Sequence, residues 1–229
     1  MTNDVRYWVI IPAAGVGTRM GVDNPKQYIV INGKTIIEHT LDCFLQREEI
    51  EKIVVAIAND DPYWSTLAVA KHEKIFTAPG GKERFQSVLN GLTVLSDKAD
   101  DDDWVLVHDA ARPCLNQQAI NRLIDELRSH DVGGILGLPC RDTMKRTNTS
   151  GEIETTIDRD NIWHAQTPQM FRYKKLLTAL EKVVEENTFV TDEAMAMELS
   201  GYKPLLITGH PENIKITHKD DLLYAEKYL

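Results

Sequence analysis

The chain of 229 residues has few cysteines, fewer basic than acidic residues and no long apolar run. Its three cysteines, Cys43, Cys114 and Cys140, share no Cys-x-x-Cys spacing, which argues against a disulfide framework or a zinc site. The net charge of −9 argues against a general nucleic-acid-binding protein, which needs a basic surface. No segment is apolar enough to span a membrane, and the first residues lack an apolar signal core. These absences favour a cytoplasmic protein with no nucleic-acid or membrane partner.

A glycine-rich loop follows the apolar run 8–11, which is typical of a buried strand. The loop extends from Pro12 to Gly21 and leads into Asn24-Pro25-Lys26-Gln27. Small residues let backbone N–H groups approach a phosphate, and Arg19 and Lys26 add two positive charges. The pattern predicts a site where a nucleoside triphosphate is bound and its phosphates are attacked. A plain strand-to-helix turn is the alternative for such a loop on its own.

The spacing of this loop differs from the two common phosphate-binding motifs. A Rossmann fingerprint has the spacing G-x-G-x-x-G, and here the third glycine comes one residue late, at Gly21. A Walker A motif needs Gly-Lys-Ser/Thr four residues after its first glycine, and the chain has no such run.

Apolar runs alternate with amphipathic stretches along the chain. The alternation predicts one domain over residues 1–229, a Rossmann-like α/β/α sandwich with a mostly parallel, twisted sheet. Asn116 and Asp61 are predicted helix N-caps. Strands are predicted over residues 7–11, 52–58, 74–78, 104–108, 133–139, 204–208 and 213–217. Helices are predicted over residues 35–46, 62–69, 83–96, 117–130, 173–186, 192–200 and 219–228.

The polar, threonine-rich segment 141–162 interrupts this alternation. A Ser150-Gly151 turn signal separates two short runs, which predicts a protruding β-hairpin arm. A two-stranded arm is marginally stable by itself, so we expect it to pack on a neighbour, and a second subunit is a good candidate.

Two further motifs suit a nucleotide site. Gly80-Gly81 opens a predicted helix whose Ser87 could bond a base, although an ordinary loop and cap is the alternative. Asp109 follows an apolar strand, where a carboxylate suits the Mg²⁺ that accompanies a triphosphate. For Arg112, phosphate binding and a salt bridge to Asp109 are equal alternatives. His108 is expected to be a buried, hydrogen-bonded histidine and not a catalytic base.

Several motifs together resemble a known family. They are residues 12–20 with 25–27, Gly80-Gly81-x-x-Arg84-x-x-Ser87-Val88, residues 107–113, 141–145, 163–169, 191–193 and 213–217. In this order they are similar to the 2-C-methyl-D-erythritol 4-phosphate cytidylyltransferases, within the sugar-phosphate nucleotidyltransferases. The resemblance covers nearly the whole chain. It implies an enzyme of the non-mevalonate isoprenoid pathway that joins CTP to the polyol phosphate and releases pyrophosphate.

The resemblance also implies roles for individual residues. Arg19 and Lys26 would stabilise the pentacoordinate transition state, and Asp109 would lie beside Mg²⁺. The nucleotide would be held by Ala13, Ala14, Gly15, Gly17, Gly81, Ser87 and Ala110. The methylerythritol phosphate would be positioned by Thr143, Arg159 and Lys215, with Thr167, Thr191 and Asp192 close by. Arg159 and Lys215 would count among the catalytic residues.

Members of the resembled family are homodimers with interlocked arms, so Thr143 and Arg159 would serve the partner's site. One departure is Lys82, which stands where relatives often have an acidic residue near the ribose.

Three other functions remain open from the sequence. A D-ribitol 5-phosphate cytidylyltransferase would share the loops and the dimer. A non-catalytic nucleotide sensor would have the same fold, although it would not need both Arg19 and Lys26. A glycosyltransferase would have an Asp-x-Asp motif, and Asp101-x-Asp103 fits that pattern but precedes its strand.

Overall fold

The computed structural model describes residues 5–15 and 25–229; Gly17 and Arg19 lie outside these ranges. Its helices and strands alternate along the chain. The strands are β1 (Tyr7–Pro12), β2 (Val30–Ile31), β3 (Lys34–Thr35), β4 (Ile50–Ile57), β5 (Ile75–Pro79), β6 (Trp104–Val107), β7 (Gly133–Pro139), β8 (Met144–Thr147), β9 (Ile153–Ile157), β10 (Trp163–Arg172) and β11 (Leu205–Thr208). The helices are α1 (Ile36–Leu45), α2 (Arg84–Val94), α3 (Gln117–Leu127), α4 (Tyr173–Glu185), α5 (Glu193–Leu199) and α6 (Lys219–Ala225).

A seven-stranded sheet forms the centre of the molecule, in the order β11-β7-β10-β6-β1-β4-β5. β10 is antiparallel to both of its neighbours, and the other six strands are parallel to one another. This confirms the mostly parallel α/β architecture. Parallel strands align their carboxyl ends along one edge, which is where ligands bind in such sheets.

Alternating side chains of β1 show how the sheet is covered on both faces. Val9 and Ile11 pack in one core cluster with α1 and α3, and Trp8 and Ile10 pack in another with α2, α4 and α5. Successive side chains of a strand point to opposite faces, so a strand buried on both faces is apolar throughout. No helix in the described ranges combines the length and apolarity needed to cross a bilayer.

β8 and β9 form a separate two-stranded antiparallel sheet within the predicted arm. Gly151 takes a positive φ of +82° in the connecting turn, as the Ser150-Gly151 signal indicates. Most residues of both strands are exposed. The pairing within the arm therefore matches the expectation, and its contact with a second subunit stays a prediction.

Two predicted elements are wrong. Residues 213–217 are not a strand, because the carbonyl of Asn213 accepts hydrogen bonds from the side chains of Arg112 and Gln166 and not from a neighbouring strand. In place of a helix over residues 62–69, two short 3-10 turns form at Trp64–Thr66 and Ala68–Lys71. There the Asp61 carboxylate accepts the N–H groups of Tyr63 and Trp64, and Leu67 is extended between the turns. Asn116 does cap its helix, at the N–H of Ala119.

β10, which lies in the middle of the sheet, was not predicted from the sequence. The strand includes the buried polar residues Gln166, Thr167 and Gln169 and a proline, so it lacks the apolar pattern of its neighbours. Its register against β7 is interrupted between Ala165 and Gln169. These polar residues face the site described below.

We predict that Gly133→Ala destabilises the fold strongly, because Gly133 has a φ of +121° and a Cβ there would lie 2.1 Å from the carbonyl oxygen of Met170. The free energy of unfolding should fall by about 3 kcal/mol or more in urea denaturation. Gly151→Ala is the matched control: its φ is also positive but no atom of the described residues lies within 4 Å of its Cβ, so a loss of about 1 kcal/mol is expected. Equal losses in the two variants would contradict the crowding argument.

Candidate active site

Two adjoining clefts open at the carboxyl ends of the parallel strands. The larger has a volume of about 400 Å³ and the smaller about 250 Å³. Arg84, Asp109 and Lys215 line both clefts and therefore form their common boundary. The larger cleft is also lined by Pro12, Ala13, Ala14, Gly15, Lys26, Gln27, Gly81, Lys82, Glu83, Ser87, Ala110 and Ala111. The smaller is also lined by Arg112, Ala165, Gln166, Thr167, Gln169, Thr191 and Asp192.

The two predicted glycine loops meet in the larger cleft. A Cβ on Gly80 would lie 2.1 Å from the Cβ of Ala14, so only glycine allows this approach. The N–H of Gly81 donates to Oγ of Ser87 at 2.9 Å, which ties the second loop to the first turn of α2. Nε2 of Gln27 donates to the carbonyl of Ala13 at 2.7 Å. Gly15 lines the cleft, and no atom of the described residues lies within 4 Å of a Cβ built there.

Three cations surround the buried carboxylate of Asp109. Arg84 Nε lies 2.9 Å from Oδ1, while Lys215 Nζ and Arg112 Nε lie 2.9 and 3.3 Å from Oδ2. Burial alone would raise the pKa of Asp109, but the charges of Arg84, Lys215 and Arg112 outweigh it and hold the pKa well below its usual range. Asp109 is therefore an anion at any physiological pH.

Arg84 has a second carboxylate partner, Glu193, which the sequence analysis did not identify as a site residue. Arg84 Nη1 donates to Oε1 of Glu193 at 2.6 Å, and Glu193 is fully buried at the start of α5. Burial raises the pKa of Glu193, and the charge of Arg84 opposes that effect. The two residues are 109 positions apart, so local patterns contain no signal for the pair.

Arg112 and His108 make structural contacts around Asp109. Arg112 Nη1 donates to the carbonyl of Asn213 at 2.6 Å, and Arg112 Nε forms the salt bridge to Asp109. Of the two roles considered for Arg112, the salt bridge is observed, and phosphate binding stays a prediction. His108 Nε2 lies 3.0 Å from the carbonyl of Arg112 and must donate to it, so Nδ1 accepts from the Thr167 hydroxyl at 2.8 Å. Burial lowers the pKa of His108 to about 4. The expectation of a buried, hydrogen-bonded histidine is confirmed.

The segment 213–217 connects two predicted cations. Lys26 Nζ donates to the carbonyl of Ile216 at 3.0 Å, and the neighbouring Lys215 reaches Asp109. The N–H of Ile216 donates to the carbonyl of Ala111 at 2.8 Å, and the Ile216 side chain is fully buried. This short segment thus places Lys26 and Lys215 relative to Asp109.

The smaller cleft collects Thr167, Thr191 and Asp192. Gln169 connects β10 with α5, because its Nε2 donates to Asp192 and its Oε1 accepts the N–H of Ala194, both at 2.9 Å. The Thr191 side chain is exposed at the rim. The cleft therefore presents hydroxyl groups beside the cations of the boundary.

Of the predicted site residues that the structure describes, two line neither cleft. Thr143 and Arg159 are exposed on the arm segment, and Arg159 donates through Nη1 to the carbonyl of Arg141. The structure therefore does not bring them to the Asp109 cluster of their own chain.

Asp109 is the residue that would hold a metal ion. The described residues contain no group of three or more His, Cys, Asp or Glu side chains arranged for a metal. Mg²⁺ in nucleotide sites needs only one or two carboxylates besides phosphate oxygens and water, which Asp109 can supply. Arg84, Arg112 and Lys215 beside it are balanced by the negative charge of a triphosphate, so the site fits a divalent ion that is bound as part of a nucleotide complex.

Comparison with known proteins identifies the family of the chain. A family model described as 2-C-methyl-D-erythritol 4-phosphate cytidylyltransferase matches residues 7–229. The chain belongs to this family. A relative of that name from Vibrio vulnificus (strain YJ016) is 51% identical over 220 residues, covering 96% of this chain and 93% of the relative. Another from Pseudomonas entomophila (strain L48) is 49% identical, covering 94% and 92%. The family resemblance drawn from the motifs is confirmed.

Solved structures of the family share the fold. The crystal structure of the Francisella tularensis 2-C-methyl-D-erythritol 4-phosphate cytidylyltransferase has a TM-score of 0.86 and 42% identity, and the match covers 98% of this chain and all of that one. The Thermus thermophilus structure of the same name has a TM-score of 0.78 and 27% identity, with 96% of both chains covered.

We predict that Thr167→Val destabilises the protein, because the Thr167 hydroxyl donates to His108 and accepts the N–H of Asp109 at 3.1 Å. Valine has nearly the same shape but leaves both groups unpaired in a buried place, which costs about 1–3 kcal/mol. Urea denaturation measures the loss. Thr167→Ser keeps the hydroxyl and is the control; if it were as unstable as Thr167→Val, the hydrogen bonds would not be the cause.

Proposed function

We propose that this protein transfers the cytidylyl group of CTP to 2-C-methyl-D-erythritol 4-phosphate, giving the CDP-linked polyol and pyrophosphate. Its family membership, over nearly the whole chain, supports a CTP-dependent nucleotidyltransferase of the non-mevalonate isoprenoid pathway. The observation that carries the proposal is the boundary between the two clefts. There one buried carboxylate and the cations Arg84, Arg112 and Lys215 lie between a glycine-lined cleft and a hydroxyl-lined one.

CTP occupies the larger cleft in this proposal. The backbone of Ala13, Ala14 and Gly81 faces its base and ribose, and its phosphates lie along Gly15 towards Lys26 and Asp109. The close approach of the two glycine loops leaves their backbone N–H groups near the bound CTP, as phosphate binding by backbone groups requires. Lys82 and Ser87 also line this cleft.

The polyol phosphate occupies the smaller cleft, beside Thr167, Thr191 and Lys215. One of its phosphate oxygens attacks the α-phosphorus of CTP, and the bond from that phosphorus to the bridging oxygen of pyrophosphate breaks on the opposite side. Negative charge grows on the oxygens of the pentacoordinate phosphorus. Lys26 and Arg19 neutralise this charge, and positioning with charge neutralisation is the main work in phosphoryl-type transfer.

Asp109 would hold Mg²⁺ together with the triphosphate oxygens. When bound, the ion supplies charge neutralisation on the phosphates. Lys215 shares Asp109 Oδ2 with Arg112 and is about 40% exposed, so its flexible side chain can turn to the acceptor phosphate when the nucleotide is bound.

A homodimer completes the site in this proposal. Thr143 and Arg159 lie on the exposed arm, away from the clefts of their own chain, and a guanidinium suits the acceptor phosphate because it can make two parallel bonds to it. We infer that the interlocked arm of one protomer brings these two residues to the smaller cleft of its partner. We also infer a cytoplasmic location, where the buried thiols of Cys43, Cys114 and Cys140 stay reduced.

The other candidate functions receive less support. The family match favours methylerythritol phosphate over D-ribitol 5-phosphate as the acceptor. A sensor domain has no use for a second, hydroxyl-lined cleft beside the nucleotide cleft. The Asp-x-Asp motif of a glycosyltransferase is absent from the site, because Asp103 precedes β6 and its buried carboxylate accepts from Trp8 Nε1 at 2.9 Å.

The test of the proposed reaction is pyrophosphate release from CTP and Mg²⁺ with each polyol phosphate in turn. Methylerythritol phosphate should support turnover and D-ribitol 5-phosphate should support little. ATP, GTP and UTP in place of CTP serve as controls for the base. Equal turnover with ribitol phosphate would overturn the proposed acceptor, and no release with any acceptor would overturn the proposed reaction.

We predict that two inactive variants, Lys26→Ala and Arg159→Ala, restore each other in mixed dimers. If one site takes Lys26 from one chain and Arg159 from the other, a mixed dimer has one site with both defects and one intact site. Random mixing makes about half of the dimers mixed, so about a quarter of wild-type activity should return. Mixing, brief denaturation, refolding and the pyrophosphate assay measure it.

The control for this experiment is wild-type protein taken through the same denaturation and refolding. Each variant refolded alone gives the background. If the mixture stays at that background, each site is built from a single chain and the exchanged-arm arrangement is wrong.

A further inference from the structure

Arg84 bridges two buried carboxylates that belong to different parts of the fold. It is the first residue of α2, directly after the second glycine loop, and it contacts Asp109 after β6 and Glu193 at the start of α5. It lines both clefts. The bridge therefore joins the element that carries the nucleotide loop to the element that carries Thr191 and Asp192.

The hydrogen bonds of Arg84 are incomplete in a specific way. A guanidinium can form two parallel bonds to a carboxylate, either through Nε and Nη2 or through Nη1 and Nη2. Arg84 forms neither pair: it gives Nε to Asp109 and Nη1 to Glu193. Nη2, which both pairs would use, is buried without a hydrogen-bond partner among the described residues, and so is Oε2 of Glu193.

This arrangement divides one cation between two anions. Without Glu193, Arg84 could turn and make a two-bond pair with Asp109, which would occupy both oxygens of that carboxylate. Oδ2 of Asp109 already accepts from Lys215 and Arg112. A single bond from Arg84 leaves Oδ1 with unused acceptor capacity.

We propose that Arg84 and Glu193 are positioning residues: Arg84 orients Asp109 through its single bond to Oδ1, and Glu193 holds Arg84 away from a two-bond pair, so that the carboxylate stays both oriented and open to the nucleotide and its metal ion. The inference rests on the proposed cytidylyl transfer and assigns a task to a buried ion pair that the proposed chemical step does not itself use. Buried polar atoms are normally satisfied, so two unpaired atoms in one ion pair call for such a task.

The alternative is that the pair only stabilises the fold, and a double substitution separates the two explanations. Arg84→Met or Glu193→Leu alone leaves the other charge buried without its partner and should lower Tm. Arg84→Met combined with Glu193→Leu replaces the pair by apolar side chains of similar volume, which is often neutral or stabilising. Stability should therefore return in the double variant, whereas the position of Asp109 should not.

The double variant is measured in two ways besides Tm. In turnover, kcat should be lower than in the wild type by about 10–100-fold, the effect typical of removing a residue that orients a metal ligand. In calorimetry without an acceptor, the Kd of CTP in the absence of Mg²⁺ should stay within about threefold of the wild-type value, while the gain in CTP affinity on adding Mg²⁺ should fall by about tenfold or more. Wild-type kcat, or a wild-type gain from Mg²⁺, at a restored Tm overturns the proposal.

Glu193→Gln keeps the test decisive if the double variant does not fold. Glutamine retains the shape and the acceptor of Glu193 but not the charge that holds Arg84, so kcat should fall by about tenfold, while Tm should fall less than in Glu193→Leu because the hydrogen-bond acceptor is kept. Wild-type values of both kcat and the Mg²⁺ gain would overturn the proposal. Lys34→Gln with Asp42→Asn removes an exposed ion pair outside both clefts and should leave every quantity unchanged. If the wild type has no transferase activity the proposed function fails, and the calorimetric gain still tests this inference.

Discussion

The burial of the Asp109 carboxylate is the constraint on which the site depends. A carboxylate removed from water is strongly disfavoured unless cations and hydrogen bonds replace its hydration. Here the cations come from three separated parts of the chain: Arg84 from the start of α2, Arg112 from the turn after β6, and Lys215 from the irregular segment before α6. Together they offset the cost of burying the anion. The same contacts therefore fix the boundary between the two clefts. The ion pairs that stabilise the fold also set the geometry of the site.

The segment 213–217 shows why part of the site has no regular structure. A strand would direct its N–H and carbonyl groups into the ladder of a neighbouring strand. In this segment the carbonyls of Asn213 and Ile216 instead accept from Arg112 and Lys26, while the N–H of Ile216 bonds to Ala111. The fully buried Ile216 side chain packs in a small cluster beneath the segment, with Ile31, Ile36, Cys114 and Ala225. The backbone is thus fixed by side chains from several elements, and it is this backbone that holds the cations.

The limits of prediction from the sequence follow from the same physics. Strands buried on both faces, such as β1, are continuous apolar runs and could be found by pattern, and the two glycine loops could be placed together because parallel strands share an edge. β10 could not be found, because its inward residues are polar and serve the site. The pairing of Arg84 with Glu193 could not be found either, since it depends on how α2 and α5 pack against each other. Over residues 62–69 the Asp61 side chain does accept N–H groups at the start of a turn, but the extended backbone of Leu67 stops that turn before it becomes a helix.

The exposed arm is the part of the chain that would take part in the association of two protomers. β8 and β9 pair with each other in a sheet of their own, and most of their side chains remain in solvent. Such a hairpin buries too little apolar surface to offset the conformational entropy lost when it is ordered. In the proposed dimer the partner chain would supply the missing contact, beside the acceptor phosphate that Arg159 would meet. Arg159 would then be fixed at a site that its own chain cannot build, and a lone protomer would keep the nucleotide cleft while lacking one wall of the acceptor cleft. Binding of CTP and transfer to the acceptor would therefore depend differently on association of the two chains.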